Sequence, residues 1–108
     1  MLQIVVHLFV NPGQHAAFHE FESAALGILA SHGGHLSVAF RPDGAGQGDV
    51  PDEIHVLQLP DRAAFAAYRA DPRLLALAGL RSVAIARTVT YLGDRCIDYP
   101  SRSDDSAK

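Results

Sequence analysis

The sequence predicts an α+β domain in which four strands and two helices follow one another in the order βαββαβ. Two observations lead to this prediction. The chain has 108 residues, of which 48% are hydrophobic, and this is enough for one hydrophobic core but too little for two. Apolar residues also recur with strand and helix periodicities in alternating segments, and Gly or Pro marks most of the boundaries between these segments.

The N-terminal third of the chain predicts a strand followed by a helix. Residues 2–10 are rich in Ile, Val, Leu and Phe, which favours a strand. Asn11 and Pro12 then suit a helix N-cap and a first helical residue. Helix one is expected to continue to Gly33 and Gly34, which suit a glycine C-cap. Its apolar residues at helical spacing are Phe18, Phe21, Ala25, Ile28 and Leu29.

The middle of the chain predicts two strands joined by a loop. In residues 35–41, Leu36, Val38 and Phe40 alternate with less apolar residues, as in a half-buried strand. The next segment contains three glycines and few apolar side chains, and a third strand follows at 53–59. Because the glycine-rich loop runs from strand to strand and not into a helix, we expect a hairpin loop and not a phosphate-binding loop.

The C-terminal part predicts a broken helix and a last strand. Asp61 is a suitable N-cap for a helix over 62–70. The Asp-Pro pair at 71–72 then interrupts this helix and restarts a shorter helical turn that ends at Gly79. Residues 83–92 carry Val, Ile, Thr and Tyr and are predicted to form strand four.

This order of elements is that of a ferredoxin-like fold, a four-stranded antiparallel sheet with both helices on one face. The opposite face has no helix to cover its apolar side chains. A second copy of the chain is the simplest cover, so a homodimer in the form of a dimeric α/β barrel is predicted. The predicted domain comprises residues 1–94, and the polar segment 95–108 is predicted to be a mobile tail.

Charge and cysteine content limit the classes of partner. The net charge is only −3 and no basic stripe is present, so neither nucleic acid nor a membrane is expected as a partner. Cys96 is the single cysteine, which excludes an internal disulfide and a multi-thiolate metal site and fits a cytoplasmic location. No apolar stretch approaches the roughly 20 residues that span a bilayer, and we expect no targeting segment.

A sequence pattern in the second half of the chain resembles the dimeric α/β barrel superfamily and is similar in particular to the domain of unknown function 1330 family. An apolar strand ends in Pro60, the helix carries aromatic residues near its end, an Asp-Pro pair restarts a short helix, and Arg81 precedes the last strand. Two glycines before strand two are also similar, and the resemblance covers about residues 2–93. It implies the architecture, while the superfamily includes cofactor-free monooxygenases, haem-degrading enzymes, lactone isomerases and ligand-binding regulatory domains.

Two histidines are the candidate catalytic residues. The apolar parity of strand one leaves His7 and Phe9 on the face away from the helices. If Ile54 and Val56 of strand three lie under the helices, His55 points to that same outer face. Strands one and three are neighbours in this fold, so His7 and His55 are predicted to line one cavity and to take a proton from a ligand.

Four further residues are predicted to bind substrate in the cavity: Phe9, Arg41, Arg87 and Tyr91. Arg87 or Tyr91 would stabilise the anion that forms on proton removal. The sequence thus favours a small-molecule-binding homodimer, and one hypothesis for its role is a cofactor-free enzyme with monooxygenase-like or isomerase-like proton abstraction on a small apolar metabolite. The alternative is a non-catalytic ligand-binding or interaction module, in which the histidines are only hydrogen-bonded at the dimer interface.

A third hypothesis concerns metal binding on helix one. His15 and His19 are four residues apart and Glu22 follows three residues later, which places the three side chains near one helical face. The Glu that follows the first His in zinc protease helices is replaced by Ala16. A solvated helix face is therefore favoured over a metal site, and no metal or cofactor is expected.

Overall fold

The computed structural model describes residues 1–100 and has the predicted α+β, ferredoxin-like order of elements. The elements are β1 (Leu2–Val10), α1 (His15–Ser31), β2 (His35–Phe40), β3 (Glu53–Leu59), α2 (Arg62–Arg69), α3 (Pro72–Leu75), α4 (Ala78–Ala84) and β4 (Ile85–Gly93). The strands form one sheet in the order β2-β3-β1-β4, and every neighbouring pair is antiparallel. The fold class predicted from the sequence is confirmed.

Helix α1 begins later than predicted and ends where predicted. Asn11 does not cap α1, because its side-chain amide donates to the carbonyl oxygen of Val83 at 2.9 Å and so joins β1 to α4. At the other end, the N–H of Gly34 donates to the carbonyl oxygen of Leu29 at 3.1 Å. A Cβ atom at Gly34 would lie 2.8 Å from Cγ of Leu29, so the close approach of these segments requires glycine.

The predicted break in the second helical region is confirmed, but its last part is longer than predicted. Asp61 and Asp71 cap α2 and α3 by accepting hydrogen bonds from backbone N–H groups at 2.8 Å. The chain does not leave the helical conformation at Gly79, since α4 continues to Ala84 and β4 begins only at Ile85. The prediction that Val83 starts strand four is therefore wrong, because the buried Ala84 anchors α4 to the core.

The core fills the space between the helices and one face of the sheet. One cluster lies around α1 and the ends of β1 and β4, and the other lies between α1, β1 and β3. The first contains Leu8, Val10, Phe18, Phe21, Ala25, Ala84 and Ile85, and the second contains Leu2, Ile4, Leu29, Leu57 and Leu59. We refer to this side of the sheet as the helix face and to the opposite side as the outer face.

A β-bulge in β2 changes the alternation that the sequence predicted. The register shifts between Leu36 and Val38, so that Leu36 lies opposite Leu57 on the helix face. Val38 and Phe40 lie on the outer face instead, opposite Val56 and Ile54. The three apolar residues of the predicted strand thus do not share one face, because the extra residue at the bulge reverses the side-chain parity after it.

The predicted tail extends beyond the described part of the chain. Residues 101–108 lie outside the described residues, and residues 94–100 contain no helix or strand. Within this segment, Ile97 and Tyr99 are exposed, and Asp94 forms an ion pair with Arg62 of α2 at 3.3 Å. Across residues 1–100, no helix has the length and apolar character needed to cross a membrane.

Candidate functional site

A cavity of about 610 Å³ lies between the helices and the helix face of the sheet. Its walls come from β1, β3, β4 and the helical elements, and most of the side chains that line it are apolar. The polar lining side chains are Glu22, His55, Tyr68, Arg69, Arg81, Thr88 and Thr90. Thr90 and Leu92 of β4 and Arg69 and Arg81 of the helical elements are exposed, so the cavity is open to solvent. An apolar cavity with a few polar groups is the usual form of a small-molecule site.

His55 is the buried polar residue of the β3 wall. It lies opposite Val6 in the β1–β3 register, and only 4% of the residue is exposed. Its Nε2 atom is 2.9 Å from Oε1 of Glu53, and its Nδ1 atom is 3.8 Å from Oε2 of Glu22. The imidazole ring is therefore placed between two carboxylates that belong to β3 and α1.

Glu53 is the hydrogen-bond partner of the His55 ring and also lies near two basic side chains. Oε2 of Glu53 lies 3.4 Å from Nη2 of Arg41 and 3.9 Å from Nε2 of His19. A carboxylate oxygen accepts hydrogen bonds, so Nε2–H of His55 is the donor to Glu53. The lone pair of a neutral His55 ring is then on Nδ1, on the side of Glu22.

Glu22 and Tyr68 have perturbed acidities in the cavity. Burial raises the pKa of Glu22, and the negative charge of Glu53 adds to this effect while His55 and Arg81 oppose it. Burial also raises the pKa of Tyr68 to about 12, with a contribution from the charge of Glu22. Tyr68 is therefore a protonated hydrogen-bond donor at neutral pH, and Glu22 is a carboxyl group whose charge is disfavoured by its surroundings.

The predicted cavity that contains both His7 and His55 does not exist in the protomer. His7 lies opposite Ile54 on the outer face, where its ring meets Tyr91 edge-on at a centroid distance of 5.9 Å. His55 lies on the helix face, so the two rings are on opposite sides of the sheet. The prediction that they act on one ligand in one cavity is wrong.

The physical reason is the side-chain parity of β3. The sequence favoured Ile54 and Val56 as the residues under the helices, but Leu57 and Leu59 occupy that face and pack in the core. His55 has the same parity as these two leucines and is carried to the helix face with them. The hydrogen bond to Glu53 offsets the cost of burying the imidazole.

The predicted substrate-binding residues are divided between the two faces. Phe9, Arg87 and Tyr91 lie on the outer face, where the Arg87 guanidinium stacks over the Phe9 ring at 3.7 Å from the ring centroid. Arg41 instead contacts Glu53 and so belongs to the cluster around His55. Substrate binding by the three outer-face residues stays a prediction, and none of them lines the cavity described here.

The structure gives the three side chains of the metal hypothesis different partners. Nε2 of His15 lies 3.4 Å from Asp52, and Nε2 of His19 lies 3.9 Å from Glu53. Glu22 faces His55 instead. Among residues 1–100, no three His, Cys, Asp or Glu side chains are grouped in a way that could hold a metal ion.

Glu22, Tyr68 and Arg81 line one cavity, which was not predicted from the sequence. For Glu22 a signal was present, because it follows Phe18 by four residues and therefore lies on the apolar stripe of α1. A carboxylate on such a stripe needs a partner, and Nδ1 of His55 in the sheet lies 3.8 Å from it. For Arg81 the sequence carried no comparable signal, since its approach to Glu22 depends on how α4 packs against α1.

Comparisons with known proteins show the fold and no closer relationship. The sequence matches no protein-family model and no curated protein at a significant level. Solved structures do match, and an uncharacterised NIPSNAP domain protein from Burkholderia xenovorans has a TM-score of 0.66 at 17% identity, with 94% of this chain and 100% of that chain covered.

Two further structures are similar. An antibiotic biosynthesis monooxygenase has a TM-score of 0.67 at 16% identity, over 90% of this chain and 100% of that chain. A dabb family protein with a ferredoxin-like fold from Mesorhizobium loti has a TM-score of 0.62 at 18% identity, over 88% of this chain and 96% of that chain. Membership of the domain of unknown function 1330 family stays a prediction. The fold of this chain is the ferredoxin-like fold found in NIPSNAP, dabb and antibiotic biosynthesis monooxygenase proteins.

Proposed function

We propose that this protein binds a small, largely apolar carbonyl compound in the cavity and that His55 removes an acidic proton next to the carbonyl group. The observation that carries the proposal is the arrangement of the His55 ring, which lines an apolar cavity while its Nε2 atom is held by Glu53 at 2.9 Å. This arrangement orients Nδ1 and leaves its lone pair for a proton.

Each step of the proposed proton transfer uses a group of the cavity. Nδ1 of His55 takes the proton from the carbon atom, and the electron pair of the broken C–H bond passes to the carbonyl oxygen. The imidazolium ring is stabilised by Glu53 on one side and by Glu22 on the other. The Tyr68 hydroxyl keeps its proton at neutral pH and donates a hydrogen bond to the enolate oxygen.

The product depends on where the proton returns. Return to the same carbon gives exchange with solvent, and return to a different carbon of the conjugated system gives isomerisation. Both the isomerase-like and the monooxygenase-like reactions predicted from the sequence begin with such an anion, and the proton transfer itself involves only side chains of this chain. Val6, Leu26, Leu57 and Leu74 supply apolar walls for the rest of the molecule.

The second candidate is a non-catalytic ligand-binding module, and one observation favours it. In residues 1–100, every buried side-chain nitrogen or oxygen atom has a hydrogen-bond partner. Nε2 of His55 has its hydrogen-bond partner in Glu53 without a reacting ligand, as it would in a purely structural pair. Proton exchange on a bound ketone separates the two candidates.

The experiment uses 2-tetralone, a small apolar ketone with acidic C–H groups, in D₂O. Nuclear magnetic resonance follows the loss of the C1 protons with and without the protein. We expect exchange above the rate in buffer, reduced by His55→Gln by about 100-fold or more, as for removal of a general base. His7→Gln is the matched control, because His7 lies on the outer face and its replacement should leave the rate unchanged.

Two results would contradict the catalytic proposal. The first is a rate of exchange equal to that in buffer while 2-tetralone binds, which would favour the binding module. The second is an equal loss of exchange in the variants of both histidines, which would place the chemistry elsewhere. Melting curves of both variants show whether a loss of exchange reflects unfolding.

We also propose that two copies of the chain pair through the outer face of the sheet. This face carries no helix, and its apolar residues include Val38, Phe40 and Tyr91, which are 47%, 48% and 62% exposed. A row of large apolar side chains across a sheet is characteristic of a covered surface. A two-fold pair would cover it with the same face of the other copy and leave the cavity on the opposite side of each sheet free.

A further inference from the structure

Some arginines among residues 1–100 form an ion pair with a carboxylate and others do not. Four of them lie within ion-pair distance of an Asp or Glu side chain, namely Arg41, Arg62, Arg73 and Arg87. In residues 1–100, Arg69, Arg81 and Arg95 form no such pair. Of these three, Arg69 and Arg81 line the cavity. The cavity wall thus holds two guanidinium groups without a carboxylate partner among the described residues.

Of these two arginines, Arg81 lies near the other polar side chains of the cavity. It lines the same space as Glu22, His55 and Tyr68, and its positive charge lowers the pKa of both Glu22 and Tyr68. Arg69 has another role, since its guanidinium stacks on the Phe65 ring at 5.6 Å from the ring centroid.

We propose that the ligand of this cavity is an apolar carboxylic acid whose carboxylate binds Arg81, which names the substrate class of the function proposed above and rests on it. A guanidinium offers a fork of N–H donors that matches a carboxylate in a bidentate geometry. The apolar walls receive the hydrocarbon part of the acid, while the carbonyl group lies near Tyr68 and His55. The substrate class is therefore a keto acid or a similar amphipathic carbonyl acid.

The neighbouring carboxyl group favours a singly charged ligand over a phosphate. Glu22 lies near enough to Arg81 for their charges to interact, so a ligand anion at Arg81 also meets the field of Glu22. A carboxylate brings one negative charge, and a phosphate ester brings nearly two. Repulsion from Glu22 is correspondingly smaller for the carboxylate.

The test compares 3-benzoylpropanoate with its methyl ester, two molecules of nearly the same shape that differ in charge. Isothermal titration calorimetry gives the Kd of each for the wild-type chain. We expect the acid to bind about tenfold or more tightly than the ester, as one charge-assisted interaction predicts. Arg81→Gln should remove this preference, and Arg81→Lys should retain part of it because the positive charge remains.

Arg62→Gln is the control variant, because Arg62 is an exposed arginine that pairs with Asp94 and does not line the cavity. It should keep the full preference for the acid. Equal binding of acid and ester, with both displacing 2-tetralone, would overturn the carboxylate proposal and leave the proposed function standing. Failure of the acid, the ester and 2-tetralone to bind would overturn both proposals. A preference for the acid that survives Arg81→Gln would show that a different group binds the carboxylate.

Discussion

At the scale of single residues, the site depends on side chains whose charged forms are disfavoured by their surroundings. Glu22 is mostly buried beside a histidine, and Tyr68 is a phenol with a pKa raised to about 12. Groups of this kind are common where a protein moves protons, because proton transfer needs a perturbed pKa. Holding an ionised carboxylate in such surroundings lowers the stability of the fold. For Glu22, this loss of stability can be measured as a change in melting temperature on substitution.

We expect Glu22→Gln to stabilise the protein at neutral pH and to slow the proposed proton exchange. Burial raises the pKa of Glu22, so the charged form is less stable in the folded chain than in the unfolded chain. The native group contributes stability only when it is protonated, and this contribution is lost as the pH rises through the raised pKa. The melting temperature of the variant should exceed that of the wild type by a few degrees at neutral pH.

The difference in melting temperature should shrink as the pH falls towards the ordinary range of a carboxyl group, because Glu22 then becomes protonated. Glu20→Gln is the control, since Glu20 is an exposed residue on the same helix and should change the melting temperature little. A wild type more stable than Glu22→Gln at neutral pH would mean that the ionic contact with His55 outweighs the burial of the carboxylate.

At the scale of elements, one polar network joins the end of α1 to the start of α3. Asp71 is 8% exposed and accepts hydrogen bonds from Nε2 of His32 at 2.8 Å and from the N–H of Arg73 at 2.8 Å. The Arg73 guanidinium also donates to the same carboxylate and to the hydroxyl of Ser31. These contacts hold α3, and with it the Leu74 wall of the cavity, against α1.

We expect Asp71→Asn to lower the melting temperature by several degrees at neutral pH. Hydrogen bonds from Arg73 and His32 hold the pKa of Asp71 far below its ordinary value. Because this pKa is lowered, ionised Asp71 stabilises the folded chain at pH values above the ordinary pKa of an Asp. The stabilisation is lost as the pH falls through the lowered value. The gap between wild type and variant should therefore narrow in acid, as measured by thermal unfolding at a series of pH values.

Asp61→Asn provides a matched comparison, because Asp61 caps α2 in the same way but has no His or Arg hydrogen-bond partner among the described residues. Its effect should be smaller and should depend less on pH. Equal effects of the two substitutions would show that Asp71 acts only as a helix cap.

At the scale of the whole molecule, the outer face should determine the assembly. We expect the wild-type chain to sediment as a dimer and Phe40→Glu to sediment as a monomer, because a charge on the covered face would be buried without a partner. Leu75→Glu is the control, since Leu75 is 59% exposed on α3 and outside the sheet. Sedimentation of the wild type as a monomer in dilute buffer would contradict the dimer, as would a dimer in both variants.

Much of the fold was determined by the sequence alone, for a local reason. The order βαββαβ is defined by local signals that need no tertiary contact. These signals are the apolar patterns of residues 2–10 and of α1, the glycines after α1 and the Asp-Pro pair at 71–72. Antiparallel pairing in the order β2-β3-β1-β4 follows from that order of elements.

The site was decided only by the tertiary structure. Residues 53–59 carry apolar side chains on both parities, so the face that receives His55 depends on how Leu57 and Leu59 pack in the core and not on any local pattern. The bulge after Leu36 and the extension of α4 to Ala84 likewise depend on distant contacts. Glu53 lies two residues from His55 on β3 and shares its face by strand alternation, whereas Glu22 comes from α1 and reaches the ring only through the packing of α1 on the sheet. Packing, and not sequence periodicity, brings the second carboxylate to the ring.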